Sequence, residues 1–324
     1  MYVLGIETSC DETSAAVVKD GKEILSNIVA SSLEFHKKYG GVVPEIAFRK
    51  QLETISQVTD SAIKAAGIPL KKISLISVTN EPGLLGSLLV GISFARGLSL
   101  SRDLPLLEAD HLYSHIYAGM FGLKKLPLPF VALVVSGGHT SLFYLRDFHR
   151  ITPLAATQDD ACGEAFDKTA KILGLGYPGG PLIERLAKNG DPKSIKFNCS
   201  GTKHPLNFSF SGIKTAVLYY VNGIKKRQSG KLYKRQTEDI CATFQETVID
   251  TLIQKSFLAC KMRRSKRLVV GGGVAANNRL REKFNSAAKE KGISVYFASP
   301  RLCMDNAAMV AGLGYQLSRR DTPR

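Results

Sequence analysis

Two stretches of the chain follow one plan, and this echo limits the fold more than any other feature. Residues 2–18, YVLGIETSCDETSAAVV, place two apolar runs around a cluster of Thr, Ser, Asp and Glu. That pattern reads as strand, polar turn, strand. Residues 130–145, FVALVVSGGHTSLFYL, repeat it with Ser136-Gly137-Gly138-His139-Thr140 as the turn. Each hairpin is followed by a further strand, a Gly-containing loop and a helix. In the first half these are residues 73–79, Glu81-Pro82-Gly83 and residues 84–100. In the second they are residues 267–270, Gly271-Gly272-Gly273 and residues 277–291. Matching elements in matching order predict a duplicated α/β domain with a cleft between the halves.

Prolines in Leu126-Pro127-Leu128-Pro129 interrupt any helix and set the expected boundary. The expected domains are 1–128 and 129–324, the second carrying an insertion at about 185–235. A C-terminal helix at about 306–320 is a candidate to pack back on the first domain.

Charge points to the partner. The 44 Lys and Arg exceed the 28 Asp and Glu by 16, giving a pI of about 9.6. The insertion holds twelve Lys/Arg against the single acid Asp191, and a second basic run, KMRRSKR, spans 261–267. Such a surface favours a polyanion, with nucleic acid first. At 44% hydrophobic residues the 324-residue chain has ample core, which excludes a mostly disordered polymer. The longest apolar run, 129–135, is far shorter than the roughly 18 residues of a membrane span. The N-terminus reads as a core strand, with Glu7 where a signal peptide would be apolar. Cys10, Cys162, Cys199, Cys241, Cys260 and Cys303 are scattered without a CxxC pair. That suits reduced thiols and a cytoplasmic location.

Several motifs carry chemistry. The Ser136-Gly137-Gly138 turn can direct backbone N–H groups at a phosphate, although an ordinary hairpin turn has the same composition. Gly271-Gly272-Gly273 lets a flat ligand approach the backbone, and Asn277 beyond it can bond an adenine edge or ribose. Neither a P-loop nor a G-x-G-x-x-G fingerprint occurs. His111 and His115 stand at i and i+4, so one helix face presents both imidazoles to a single cation. The pair lacks the glutamate of the zinc-peptidase H-E-x-x-H motif, because position 112 is Leu. Asp305 is the candidate third ligand. Asp11 and Glu12 fall in the first hairpin turn, while most of Asp159, Asp160, Glu164 and Asp167 read as a solvated loop. The rigid Tyr177-Pro178-Gly179-Gly180-Pro181 turn suits a sugar.

Taken together and in order, these motifs resemble the tRNA adenosine threonylcarbamoyltransferase family in its bacterial TsaD form. The resemblance covers nearly the whole chain. It rests on Gly5-Ile6-Glu7-Thr8-Ser9-Cys10-Asp11-Glu12-Thr13, His111-x-x-x-His115, Val134-Val135-Ser136-Gly137-Gly138-His139-Thr140, Gly163-Glu164-Ala165-Phe166-Asp167-Lys168, Tyr177–Pro181, Gly272-Gly273-Val274-Ala275-Ala276-Asn277 and Asp305-Asn306. It implies an actin-like ATPase (ASKHA) fold, two related α/β domains around a nucleotide cleft. It also implies transfer of threonylcarbamoyl from threonylcarbamoyl-adenylate to N6 of adenosine 37 in tRNAs reading codons that begin with A, with release of AMP.

Carried over by position, His111, His115 and Asp305 would bind one divalent metal. Two His and one carboxylate suit Fe(II), with Zn(II) as the alternative. Val134, Val135, Ser136, Gly137, Gly138, Asp167, Gly180 and Asn277 would hold the adenylate. Relatives often carry Asp where this chain has Glu184, which leaves a ribose contact there open. The reaction needs a base for the amine proton, and Asp11 is the choice made on sequence. The implied partners are tRNA, gripped by the basic insertion and the 261–267 run, a TsaB-like shorter paralogue and a TsaE-like P-loop ATPase. Rival readings are a metal-dependent glycoprotein endopeptidase, a small-molecule kinase of the same fold and a nucleotide-holding scaffold.

Overall fold

A computed structural model describes residues 1–228 and 232–319. Lys231 of the basic insertion and position 320 of the expected C-terminal helix lie outside the described residues. In chain order the elements are β1 (Tyr2–Glu7), β2 (Glu12–Lys19), β3 (Glu23–Ser31), α1 (Leu33–His36), α2 (Pro44–Ala65), β4 (Ile73–Glu81), α3 (Leu85–Arg102), β5 (Leu106–Asp110) and α4 (His111–Ala118). There follow β6 (Phe130–Val135), β7 (Thr140–Asp147), β8 (Arg150–Ala156), α5 (Cys162–Ile172), α6 (Gly179–Ala187), α7 (Ser211–Arg227) and α8 (Lys234–Met262). The chain ends with β9 (Arg267–Gly271), α9 (Asn278–Lys291), β10 (Ser294–Phe297) and α10 (Ala307–Ser318).

Contacts divide the chain into Met1–Leu126 with Ala298–Arg324, and Pro127–Phe297. Residues from Ala298 onward group with the first unit rather than with the rest of 129–324, the grouping raised above for the C-terminal helix. The reason is packing. Ala307 to Gly314 of α10 are all buried, and the helix lies on β1, β2 and α4.

In the first unit the sheet order is β3-β2-β1-β4-β5. β1, β2 and β3 are antiparallel, whereas β4 and β5 run parallel to β1. Alternation along β1 assigns its faces. Leu4 and Ile6 join Ile55 of α2 and Val90 and Ala95 of α3 in one core. Gly5, facing the other way, lies so near α10 that a Cβ there would strike the Ala307 carbonyl.

The second unit repeats this plan. Its sheet order is β10-β9-β6-β7-β8, with β6, β7 and β8 antiparallel and β9 parallel to β6. β10 pairs parallel with β9. Reading β6 for β1 and β9 for β4, the two sheets have the same topology, as the echo predicts. All six residues of β6 are buried, as befits a central strand covered on both faces. The helix expected from residue 277 starts at Asn278, because Asn277 is its cap and accepts from the Leu280 N–H.

Candidate functional site

The first unit gathers His111, His115 and Asp305 from opposite ends of the sequence. Asp110 closes β5 and caps α4, its carboxylate accepting from the Tyr113 N–H at 2.9 Å. The next residue, His111, therefore opens the helix, and His115 follows one turn later on the same face. The rings meet edge to face with centroids 4.6 Å apart. Asp305 sits just before α10, whose cap Asn306 donates to the Met304 carbonyl at 2.8 Å. Asp305 Oδ1 is 3.1 Å from His115 Nε2 and 3.6 Å from His111 Nε2. One donor atom from each of the three residues lies within 4.8 Å of the others.

This is a fit for a small cation: two imidazole nitrogens and one carboxylate oxygen converge. The two histidines are buried, while the Asp305 side chain keeps 19% of its surface accessible. Behind the ligands stands a support that sequence reasoning missed. Glu7 Oε2 and Ser9 Oγ each lie 3.1 Å from His111 Nδ1, the nitrogen turned away from Asp305. Glu7 is itself fixed by Thr79 Oγ1 at 2.6 Å and by the Ser9 N–H at 2.5 Å. A carboxylate behind a ligating imidazole sets its tautomer and raises its basicity. Burial alone would push the His111 pKa down, but the Asp305 and Glu7 charges outweigh it and carry it up to about 9. Burial would likewise raise Glu7, yet His111 holds that carboxyl below its usual range.

Asp11, the candidate base, is 9% exposed immediately before β2. Its carboxyl shares a hydrogen bond with Glu12, a second residue that sequence reasoning left without a role. Burial, then the charges of Asp305 and Asp11, push Glu12 well above the ordinary carboxylate range.

In the second unit β6 and β7 are joined by the Ser136–Gly138 turn. Val134 and Val135 are wholly buried, but Gly137 and Gly138 are exposed, with open space where a side chain would project. Ser136 N–H bonds the His139 carbonyl at 2.8 Å, closing the turn. The turn rests on the start of α5: Gly163 N–H donates to the Ser136 carbonyl at 3.0 Å, and a Cβ on Gly163 would clash there. Asp167 accepts from the Gly179 N–H at 2.7 Å and from the Gly180 backbone, which fixes the 177–181 turn on α5. Burial raises the Asp167 pKa despite those bonds. Space beside Gly180 is open.

Glu184 accepts from both the backbone and side-chain nitrogens of Asn278 at 2.9 Å, placing its carboxylate at the N-terminus of α9. It lines a cavity of about 260 Å³ with Gln245, Glu246, Asn278 and Arg279. The Asn277 side chain is only 8% exposed by residue and engaged at both ends, donating to Gln245 Oε1 at 2.8 Å and capping α9. Asp159 and Asp160, expected as solvated loop, are structural. Asp160 pairs with Lys168 at 2.6 Å and Lys214 at 2.7 Å. Asp159 accepts from the Phe210 and Ser211 N–H groups and from the Ser209 and Ser211 hydroxyls.

Comparison with known proteins agrees with these features. A family model described as tRNA N6-adenosine threonylcarbamoyltransferase matches residues 23–312. The enzyme of that name from Caldicellulosiruptor saccharolyticus is 49% identical over 97% of this chain and 92% of its own length. That from Kosmotoga olearia is 47% identical over 99% and 94%. Among solved structures, full-length HypF in its phosphate- and nucleotide-bound form matches 98% of this chain and 46% of its own, with a TM-score of 0.61 at 14% identity. The (R)-2-hydroxyglutaryl-CoA dehydratase component A of Acidaminococcus fermentans matches 99% and 100%, with a TM-score of 0.57 at 16% identity. These distant structures share the actin-like fold, and their likeness extends no further. The sequence matches are far closer: the chain belongs to the tRNA N6-adenosine threonylcarbamoyltransferase family.

Proposed function

We propose that this chain transfers the threonylcarbamoyl group of threonylcarbamoyl-adenylate to N6 of adenosine 37 in tRNAs reading codons that begin with A. The observation that carries the reading is the buried His111–His115–Asp305 cluster in a chain of this family. The exocyclic amine of adenine is a poor nucleophile, since its lone pair is delocalised into the ring. Transfer forms the N6–carbonyl bond, breaks the carbonyl–phosphate bond, releases AMP and sends the amine proton to a base.

His111, His115 and Asp305 would hold one divalent cation, Fe(II) in preference to Zn(II), which supplies Lewis-acid polarisation. Glu7 keeps the His111 Nε2 lone pair turned toward Asp305 by occupying Nδ1. The turn closed by Ser136 offers the Gly137 and Gly138 N–H groups to the adenylate phosphate. Val134 and Val135 form the strand that carries this turn. Asp167 acts on the ligand through the turn it fixes, with Gly180 leaving room for the nucleoside. Glu184 and Asn278 border a cavity suited to ribose or base, and Asn277 holds its wall. Asp11 takes the proton, with Glu12 beside it tuning the pair.

The partners are tRNA, a TsaB-like paralogue and a TsaE-like ATPase, in the cytoplasm. Among the described residues no helix is long and apolar enough to cross a membrane. An endopeptidase of the H-E-x-x-H kind would need an acid where Leu112 stands. The test is mass analysis of adenosine 37 after incubating tRNA, threonylcarbamoyl-adenylate, the chain and its partner proteins. The expected product is the threonylcarbamoylated nucleoside; unmodified tRNA with intact adenylate would refute the assignment.

A further inference from the structure

We propose that a groove at the C-terminal end of α8 seats the phosphate backbone of RNA. The groove encloses about 580 Å³ within the second unit. Phe257 and Ile293 give it an apolar floor, while Lys261, Arg264, Lys266 and Lys291 line its rim. No Asp or Glu lines it. The four cations are exposed, and none has an ion-pair partner among the described residues. Cations near Glu246 and Asp160 are instead paired: Arg279 and Lys283 are tied to Glu246 and Asp250, and Lys214 to Asp160. Four unpaired cations with no acid among them thus line one concave place, where a polyanion gains more than on a flat surface.

Backbone geometry supplies a second observation. The Ser265 N–H bonds the Cys260 carbonyl at 2.9 Å and the Arg264 N–H bonds the Lys261 carbonyl at 3.2 Å. This is the paired-bond ending in which the residue after the cap turns left-handed, a place glycine fills without steric conflict. Here Arg264 fills it at φ +52°. A side chain is retained where the fold favours having none, and it carries a charge to the groove rim. The rival explanation is that these cations only complement the C-terminal dipoles of α8 and α9. That applies to Lys261 and Lys291, inside the last turns, and not to Lys266 beyond the helix end.

The proposal rests on the tRNA reading and deepens it. Its test is fluorescence anisotropy of a labelled unmodified tRNA transcript across a KCl series, using the full chain. Two variants are compared with wild type: Arg264→Gly, and the quadruple Lys261→Ser, Arg264→Gly, Lys266→Ser, Lys291→Ser. The quadruple variant is expected to bind about tenfold or more weakly, with a log–log salt slope shallower by about three. Arg264→Gly is expected to weaken binding while the Tm holds or rises, an outcome that a purely structural role does not produce. Wild-type affinity and slope in the quadruple variant would overturn the proposal. So would phosphatidylglycerol vesicles bound by wild type and released by the quadruple variant at unchanged tRNA affinity. A wild-type chain that modifies adenosine 37 separates the two ideas: the groove then fails alone, whereas a wild type that neither binds nor modifies tRNA sinks both.

Discussion

At the scale of single residues, the cluster works because each side chain is held from behind. Glu7 never approaches the position a cation would take, yet it decides which His111 nitrogen faces Asp305. Replacing Glu7 with Gln keeps the size and loses the charge. Cation affinity should fall by roughly 10- to 100-fold, measured by competition against a chromophoric chelator. An unchanged affinity would mean that Glu7 is only core packing. The raised His111 pKa gives a second expectation. A cation needs the neutral imidazole, and below about 9 the cation-free protein holds it protonated. Affinity should therefore climb about tenfold per pH unit toward 9 and level off above it. A profile flat from pH 6.5 to 9 would contradict the coupling to Asp305 and Glu7.

None of this support was legible in the sequence. Glu7 and His111 are 104 residues apart, and Ser9 and His111 are 102 apart. The i, i+4 spacing that put both histidines on one helix face was legible, since it depends on helical geometry alone. Asn277 has partners that the sequence did not reveal. Its type and position suggested a ligand contact, and its buried amide also bonds what lies nearest in the fold, the α9 backbone and Gln245.

At the scale of elements, local pattern was a sound guide. Both hairpins and both strand–loop–helix segments form, because alternation and turn residues act over a few positions. The acidic loop at 159–160 was misread, since the groups that bind it come from about fifty residues away. Asp159 anchors the start of α7 with four hydrogen bonds that hold its carboxyl below the usual range, although burial works to raise it. Its folded pKa is lowered, so its stabilisation is present above the ordinary aspartate value of about 3.9 and is lost as pH falls through the folded value. Asp159→Asn should cost about 1 kcal/mol at neutral pH, discounted for solvent exposure, and the two Tm curves should converge below about pH 3. Curves that stay parallel would show that the charge is idle.

At the scale of the whole molecule, duplication was legible, and so was the return of a C-terminal helix to the first domain, but not the point at Ala298 where that return begins. Residues 298–305 carry no such signal, and packing alone decides where they belong. Gly5→Ala tests that packing, since the added methyl would meet the Ala307 carbonyl. A loss of roughly 1–3 kcal/mol in denaturant unfolding is expected, together with weaker cation binding through displacement of Asp305. A neutral Gly5→Ala would mean that α10 rides loosely on β1.

The most direct measurement titrates the chelator-stripped chain with Fe(II) under anaerobic conditions and follows threonylcarbamoyl transfer to adenosine 37. Transfer should rise from near zero and saturate at about one equivalent per chain, as expected for a single three-ligand site, while His111→Ala stays inactive at every ratio. Full transfer by the stripped chain, or by His111→Ala, would contradict a cation held by His111, His115 and Asp305.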